Sequence, residues 1–195
     1  MANLQFITDQ IATGGDLPWL PHEAEAALAE WQALGITHIV DNRLEHSDEQ
    51  LVADLAPEMA YLHNGVDDAG GRQPDEWFDQ GVAFIRDAIQ DPAAKVLVHC
   101  HMGINRGPSL AYAALLDLGF DPIDAIAAIR AARPIAAVGY AWDALDWHHR
   151  RTLAPVEVRA DDRRRLDEWL NDNYLDVVRI IRDIRHADTD ADRVA

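Results

Sequence analysis

The stretch from Lys95 to Ser109 constrains this chain more than any other. Lys95-Val96-Leu97-Val98-His99 is a short run with an apolar centre, which reads as a buried strand. It ends on Cys100, the only cysteine, and Arg106 follows six positions later, where a helical pattern begins. Between them Gly103 lets the backbone approach a ligand without a side-chain clash. A loop of this kind turns successive N–H groups inward as a nest for an oxyanion, and the next helix adds its free N–H groups and positive end. A thiolate placed in that nest is stabilised. Arg106 supplies a planar, permanently charged fork able to grip two phosphate oxygens. Strand, anion-binding loop and helix are expected in that order, with a nucleophile at the floor of the loop.

The flanking segments alternate in the same manner. Leu4 to Thr13 reads as one or two short strands closed by Gly14-Gly15, and Pro21 opens a helix with Leu28, Trp31 and Leu34 on one face and Gly35 as its stop. Ile36 to Val40 reads as a strand, Asp48 to Leu55 as a short helix and Met59 to His63 as another strand. Asp67-Asp68-Ala69-Gly70-Gly71-Arg72 is a loop by composition, and a helix follows from Pro74 with Trp77, Val82, Ile85 and Ile89 inward. Beyond the anion loop the helix continues through Leu110 to Leu118 and is broken at Gly119, Asp121 and Pro122, and another begins over Ala125 to Arg130. This pattern predicts a single α/β domain, with a small, mostly parallel central sheet flanked by helices.

A last amphipathic stretch from Asp161 to His186 carries Leu166, Trp169, Leu170, Val177, Ile181 and Ile184 on one stripe. It is expected as one extra C-terminal helix, packed on its own domain or, alternatively, mediating self-association through 161–186. The division expected is a catalytic domain over 1–154, a helical extension over 155–186 and a frayed polar tail over 187–195.

Composition removes several function classes. The formal charge of −17 repels nucleic acid and anionic membrane, so neither is an expected partner. No stretch approaches the roughly 20 apolar residues that cross a bilayer, and the first residues lack the basic and apolar regions of a signal peptide. One cysteine excludes an intramolecular disulfide and a cysteine-based zinc site, and a lone thiol suits a reducing cytoplasm. The nucleotide hydrolases' phosphate loop ends in Gly-Lys-Ser/Thr, but here the sole lysine, Lys95, precedes the strand.

The segment Val98-His99-Cys100-His101-Met102-Gly103-Ile104-Asn105-Arg106 resembles the His-Cys-x5-Arg loop of the protein tyrosine phosphatase superfamily, most closely its dual-specificity branch. The resemblance spans roughly residues 4 to 150 and is strongest from Asp67 to Pro134. It implies a cysteine-dependent phosphatase in which Cys100 is the nucleophile and carries a phospho-cysteine intermediate. It further implies that Arg106 clamps the phosphoryl group and that the backbone of His101, Met102, Gly103, Ile104, Asn105 and Arg106 cradles it. His99 takes the family's histidine position, where a buried, hydrogen-bonded ring orients the loop. Asp68 takes the position of the general acid, in the loop before the helix bearing Trp77-Phe78, with Asp67 as the alternative. No metal or other cofactor is implied.

The pattern departs from the family at Gly107, where relatives carry a Ser or Thr that helps the thiolate leave. Ser109 is the nearest hydroxyl and either assists from the first helical turn or caps the helix. The loop lacks the basic residues of phosphoinositide-directed relatives, and no equivalent of the long phosphotyrosine-gripping loop is present. The expected substrate is therefore a phosphorylated protein or a small phosphoester at a shallow pocket. The rival reading is a phosphate-binding pseudophosphatase without turnover. His148-His149 lie about 100° apart on a helix, so packing or surface roles are expected rather than a metal site. Arg43, after a strand end, is within reach of the active-site rim but is expected in a surface ion pair, and Arg133-Pro134 resembles the family's structural Arg-Pro pair.

Overall fold

The computed structural model describes residues 3–192, with side chains described to His186. Among the described residues five short strands form one sheet in the order β1-β2-β5-β3-β4. They are β1 (Leu4–Phe6), β2 (Ile11–Gly14), β3 (His38–Arg43), β4 (Ala60–Val66) and β5 (Val96–His99). Only the β1–β2 hairpin is antiparallel; β2–β5, β5–β3 and β3–β4 all pair in parallel. The central strand β5 is buried along its whole length. That is why it reads as a continuous apolar run, since parallel strands covered on both faces have no solvent side to alternate toward.

Side chains on successive strand positions feed two cores. Val40 and Val98 face α3 (Asp75–Ala88), α4 (Arg106–Asp117), α5 (Pro122–Ala132) and α6 (Ala141–Arg151), where Phe78, Leu110, Leu115 and Trp147 pack against them. Ile39 and Leu97 point the other way, to Leu28 and Trp31 of α1 (Pro21–Ala33) and Val52 of α2 (Glu49–Leu55). The helix after the anion loop begins at Arg106, as expected.

The C-terminal stretch is two helices, not one: α7 (Val156–Asp172) and α8 (Val177–Asp192). Asn173 closes the first, and Asp176 Oδ1 accepts the N–H of Arg179 at 2.9 Å to cap the second. The two halves of the apolar stripe stay in phase because Leu170 and Val177 stand seven residues, about two turns, apart. Periodicity alone therefore cannot reveal the break. Leu166 is fully buried, and Trp169 and Leu170 pack on the larger core, so α7 belongs to the domain's own packing. The tail expected from Ala187 begins within α8, and residues 193–195 lie outside the described residues. Among the described residues no helix is long and apolar enough to cross a membrane.

Candidate active site

The loops that follow β2, β3, β4 and β5 gather at one edge of the sheet, the carboxyl end of its parallel strands, where open α/β sheets bind ligands. The Cys100–Asn105 loop is held by its carbonyl groups. Asn42 Nδ2 donates to His99 O at 2.9 Å, and the N–H of Asp16 donates to His101 O at 3.0 Å. Arg133 donates from Nη2 to Met102 O and from Nε to Gly103 O, both at 2.7 Å, and the N–H of Ala137 reaches Ile104 O at 2.7 Å. With the carbonyls drawn outward, the peptide N–H groups are left to face the loop's interior. Gly103 has φ +63°, and a Cβ there would stand 2.5 Å from the Gly14 carbonyl, so no other residue fits.

Cys100 is buried at the floor of a cavity of about 360 Å³ that Asp68, His101, Met102, Ile104, Asn105 and Arg106 also line. Arg106, from the first turn of α4, is gripped by Glu45 in a bidentate pair at 2.6 and 2.7 Å. It also donates to the carbonyls of Asn42 and Val66 at 3.3 and 3.2 Å. Its Nε makes no hydrogen bond; Asp68 Oδ2 lies 3.4 Å away. The pairing with Arg106 outweighs partial burial and holds the Glu45 carboxyl down at about 2. Asp68 Oδ1 accepts from Asn105 Nδ2 at 2.6 Å and from the Tyr140 hydroxyl at 2.9 Å. Burial together with that carboxylate pushes the Tyr140 phenol up to about 12, so it stays a donor throughout the neutral range.

Beneath the loop lies a buried charge cluster. Arg43 donates to Asp41 at 2.9 and 2.7 Å, to Asp48 at 2.5 Å and to Asp16 at 3.2 Å. Arg43 is 2 % exposed and Asp41 wholly buried, which corrects the expectation of a surface ion pair. The strand end that carries Arg43 is roofed by the loops of β2 and β3, and sequence alone gave no sign of that roof. Asp41, Asp48 and His99 bring one ligand atom each within 4.8 Å of one another, but the cation between the two carboxylates is the Arg43 guanidinium. Asp16 Oδ2 also accepts from His101 Nδ1 at 2.8 Å, and this hydrogen bond raises the imidazole's pKa against the opposing effect of burial.

His99 is buried as expected, yet neither ring nitrogen makes a hydrogen bond. Nε2 lies 3.8 Å from Asp41 Oδ1, and burial lowers the imidazole's pKa despite that carboxylate. Its backbone carbonyl, held by Asn42, is what ties the loop to the sheet. Ser109 is no helix cap: its Oγ donates to Asn105 Oδ1 at 3.3 Å and accepts the N–H of Tyr140 at 3.2 Å. A Cβ on Gly107 would stand 2.9 Å from Val98 O, because α4 starts hard against the end of β5. Gly103 lies in the loop wall against Gly14 and Arg133, and Asp67 contributes its carbonyl to Gln73 while Asp68 lines the cavity. His149 is buried against Asp162 at 2.9 Å, a packing role.

Sequence reasoning missed Glu45, Asn42 and Tyr140, and it missed Val177, Ile181 and Arg185 of α8, which also line the cavity. The rule that ligands sit at the carboxyl ends of parallel strands would have singled out the loop after β3, and with it Glu45.

A mostly parallel sheet whose central strand delivers a cysteine, with an arginine six residues on opening the next helix, is the architecture of the cysteine-based phosphatases. The chain belongs to the dual specificity phosphatase family: the model of the family's catalytic domain matches residues 19–142. Among solved structures it is similar to human DUSP28, at 19 % identity and TM-score 0.63, over 78 % of this chain and 97 % of that one. It is also similar to Tk-PTP in the active form, at 21 % identity and TM-score 0.61, over 76 % and 97 %. A third is PTPMT1 in complex with PI(5)P, at 17 % identity and TM-score 0.62, over 77 % and 97 %.

Proposed function

We propose that the chain hydrolyses phosphomonoesters through a phospho-cysteine on Cys100. The proposed substrates are phosphorylated protein side chains, phosphotyrosine first and phosphoserine or phosphothreonine with it. The observation that carries this reading is the meeting of Cys100, Asp68 and the Arg106 Nε, which makes no hydrogen bond, in one cavity.

In the first step the Cys100 thiolate attacks phosphorus. An S–P bond forms as the P–O bond breaks, and Asp68 gives its proton to the departing oxygen. In the second step a water gives a proton to Asp68 while its oxygen attacks phosphorus. The S–P bond breaks, inorganic phosphate leaves and the thiolate is restored. Arg106 and the inward N–H groups of His101 to Arg106 stabilise the charge on the equatorial oxygens in both steps. Asn105 and Tyr140 act as positioning residues, because they fix the carboxyl of Asp68 from two sides.

No lysine or arginine stands between Cys100 and Arg106, which speaks against a highly charged inositol headgroup, although PTPMT1 was solved with PI(5)P. A second reading, phosphate binding without turnover, draws support from Gly107, which offers no hydroxyl to the leaving thiolate.

Hydrolysis of p-nitrophenyl phosphate tests the two. Cys100→Ser is expected to abolish it. Asp68→Asn is expected to slow an alkyl phosphoester by a factor on the order of 10² or more. In kcat/KM it should slow p-nitrophenyl phosphate far less, since p-nitrophenolate leaves without a proton; kcat, which also contains the Asp68-assisted attack of water, should fall more. A wild type as inert as Cys100→Ser that still binds phosphopeptide would establish the binding module instead.

A further inference from the structure

The C-terminal helix α8 enters the site. Val177, Ile181 and Arg185 follow one another at intervals of four on a single helical face, and all three line the cavity that holds Cys100, Asp68 and Arg106. Val178, one position away, is 79 % exposed. The cavity has a polar floor, with the apolar Met102, Ile104 and Ala137 among its walls, and on α8 the apolar pair Val177 and Ile181 followed by Arg185. Ala137, Gly139 and Val177 also line a second cavity of about 440 Å³ at the junction of α7 and α8, together with Arg130, Trp142, Asp167, Leu170 and Leu175.

A phosphomonoester bound with its phosphoryl group against Cys100 must direct its leaving group upward between these walls. Water is displaced favourably from such a passage by a flat or hydrocarbon group, and only at a cost by a hydroxylated or charged one. We propose that α8 is the wall that selects the leaving group. Val177 and Ile181 are then specificity-determining residues for phosphomonoesters whose leaving group is aromatic or otherwise apolar. This rests on the phosphatase reading above and extends it to the class of alcohol released.

The test compares naphthyl phosphate with glycerol phosphate on the full chain, for wild type, Ile181→Asp and Val178→Asp. Wild type is expected to favour naphthyl phosphate. Ile181→Asp is expected to lower kcat/KM for naphthyl phosphate about tenfold through KM, the scale of losing a few methylene contacts. The new carboxylate repels the phosphoryl group of both substrates, but glycerol phosphate loses no apolar contact and should fall clearly less, so the preference shrinks. Val178→Asp places the same charge on the same helix, facing solvent, and should preserve the preference. An unchanged preference in Ile181→Asp overturns the proposal. So does a rise in kcat/KM for both substrates together, which would make α8 an obstruction rather than a wall. If wild type turns over neither substrate, the phosphatase reading falls by itself, and calorimetric titration with naphthyl phosphate still decides the role of α8. About tenfold weaker binding by Ile181→Asp than by wild type supports the wall, and equal or undetectable binding by both refutes it.

Discussion

Replacing Arg43 with methionine should unmask how much of this fold leans on a single buried cation. The side chain is similar in length, so the change removes charge and hydrogen bonds and leaves most of the volume. Four hydrogen bonds to Asp41, Asp48 and Asp16 disappear together, and Asp41, with no exposed surface, keeps only the Tyr61 hydroxyl at 2.6 Å and the N–H of residue 43 at 3.0 Å. Stripping the partner from a buried ion pair costs about 3–5 kcal/mol. The variant has one escape, which is to protonate Asp41. At about pH 7 that costs about 4 kcal/mol for a carboxyl whose ordinary value is 3.8, and at about pH 5 about 1.6 kcal/mol. The cheaper route sets the loss, so the variant should be destabilised by about 3–4 kcal/mol at neutral pH and by about 2 kcal/mol or less near pH 5.

The sign is opposite in the wild type. Burial alone would push Asp41 up, but Arg43, His99 and Tyr61 hold it down at about 2. A depressed carboxyl contributes stability above its unfolded value of 3.8 and loses it as pH falls toward about 2. Wild type should therefore weaken in acid over that window, whereas the variant's deficit should narrow as pH falls from 7 to 5. Urea unfolding followed by tryptophan fluorescence at the two pH values measures both, and Tm should drop by about 10 °C at neutral pH. A neutral-pH loss under about 1 kcal/mol, or a deficit that widens between pH 7 and 5, would refute the reasoning.

Three further outcomes are expected. Glu45→Gln should lower kcat/KM for p-nitrophenyl phosphate about tenfold by unpinning Arg106, while stability changes by less than about 1 kcal/mol because Glu45 is half exposed. Unaltered steady-state kinetics would remove Glu45 from the site. Since Gly107 has no hydroxyl and Ser109 is engaged by Asn105 and Tyr140, the phospho-enzyme should break down slowly. Rapid mixing should then show a burst of p-nitrophenolate equal to the enzyme present, and a linear trace from time zero would contradict this. Stoichiometric hydrogen peroxide should inactivate the enzyme with a mass gain of one oxygen on Cys100, reversed only by added thiol, as no second cysteine can form a rescuing disulfide. Full activity after that treatment would argue against Cys100 as the nucleophile.

The parts of this protein legible without coordinates are those written in consecutive residues. An apolar strand, a cysteine, a glycine that lets the backbone come close and an arginine opening a helix are one local object, because turn geometry and helix start act over a few residues. The alternation of strands and helices, and hence the parallel sheet, follows from periodicities equally short in range. Asp68 was placed by resemblance, since a loop aspartate carries no local mark of catalysis.

What the chain assembles across long separations could be settled only by packing. Glu45 and Arg106 stand 61 residues apart, Asn42 and His99 57, Asp68 and Tyr140 72, and Arg133 clamps the loop from 30 and 31 positions further on. Each pair is joined by how strands, loops and helices lie side by side, which no single segment encodes. The burial of Arg43 and the passage of α8 across the cavity belong to the same category. A charged residue at a strand end reads alike whether water or three carboxylates surround it, and an amphipathic helix announces a face without naming its partner. Tertiary structure supplies that partner because burial is a property of the whole packed chain, whereas helix, strand and turn are decided by near neighbours.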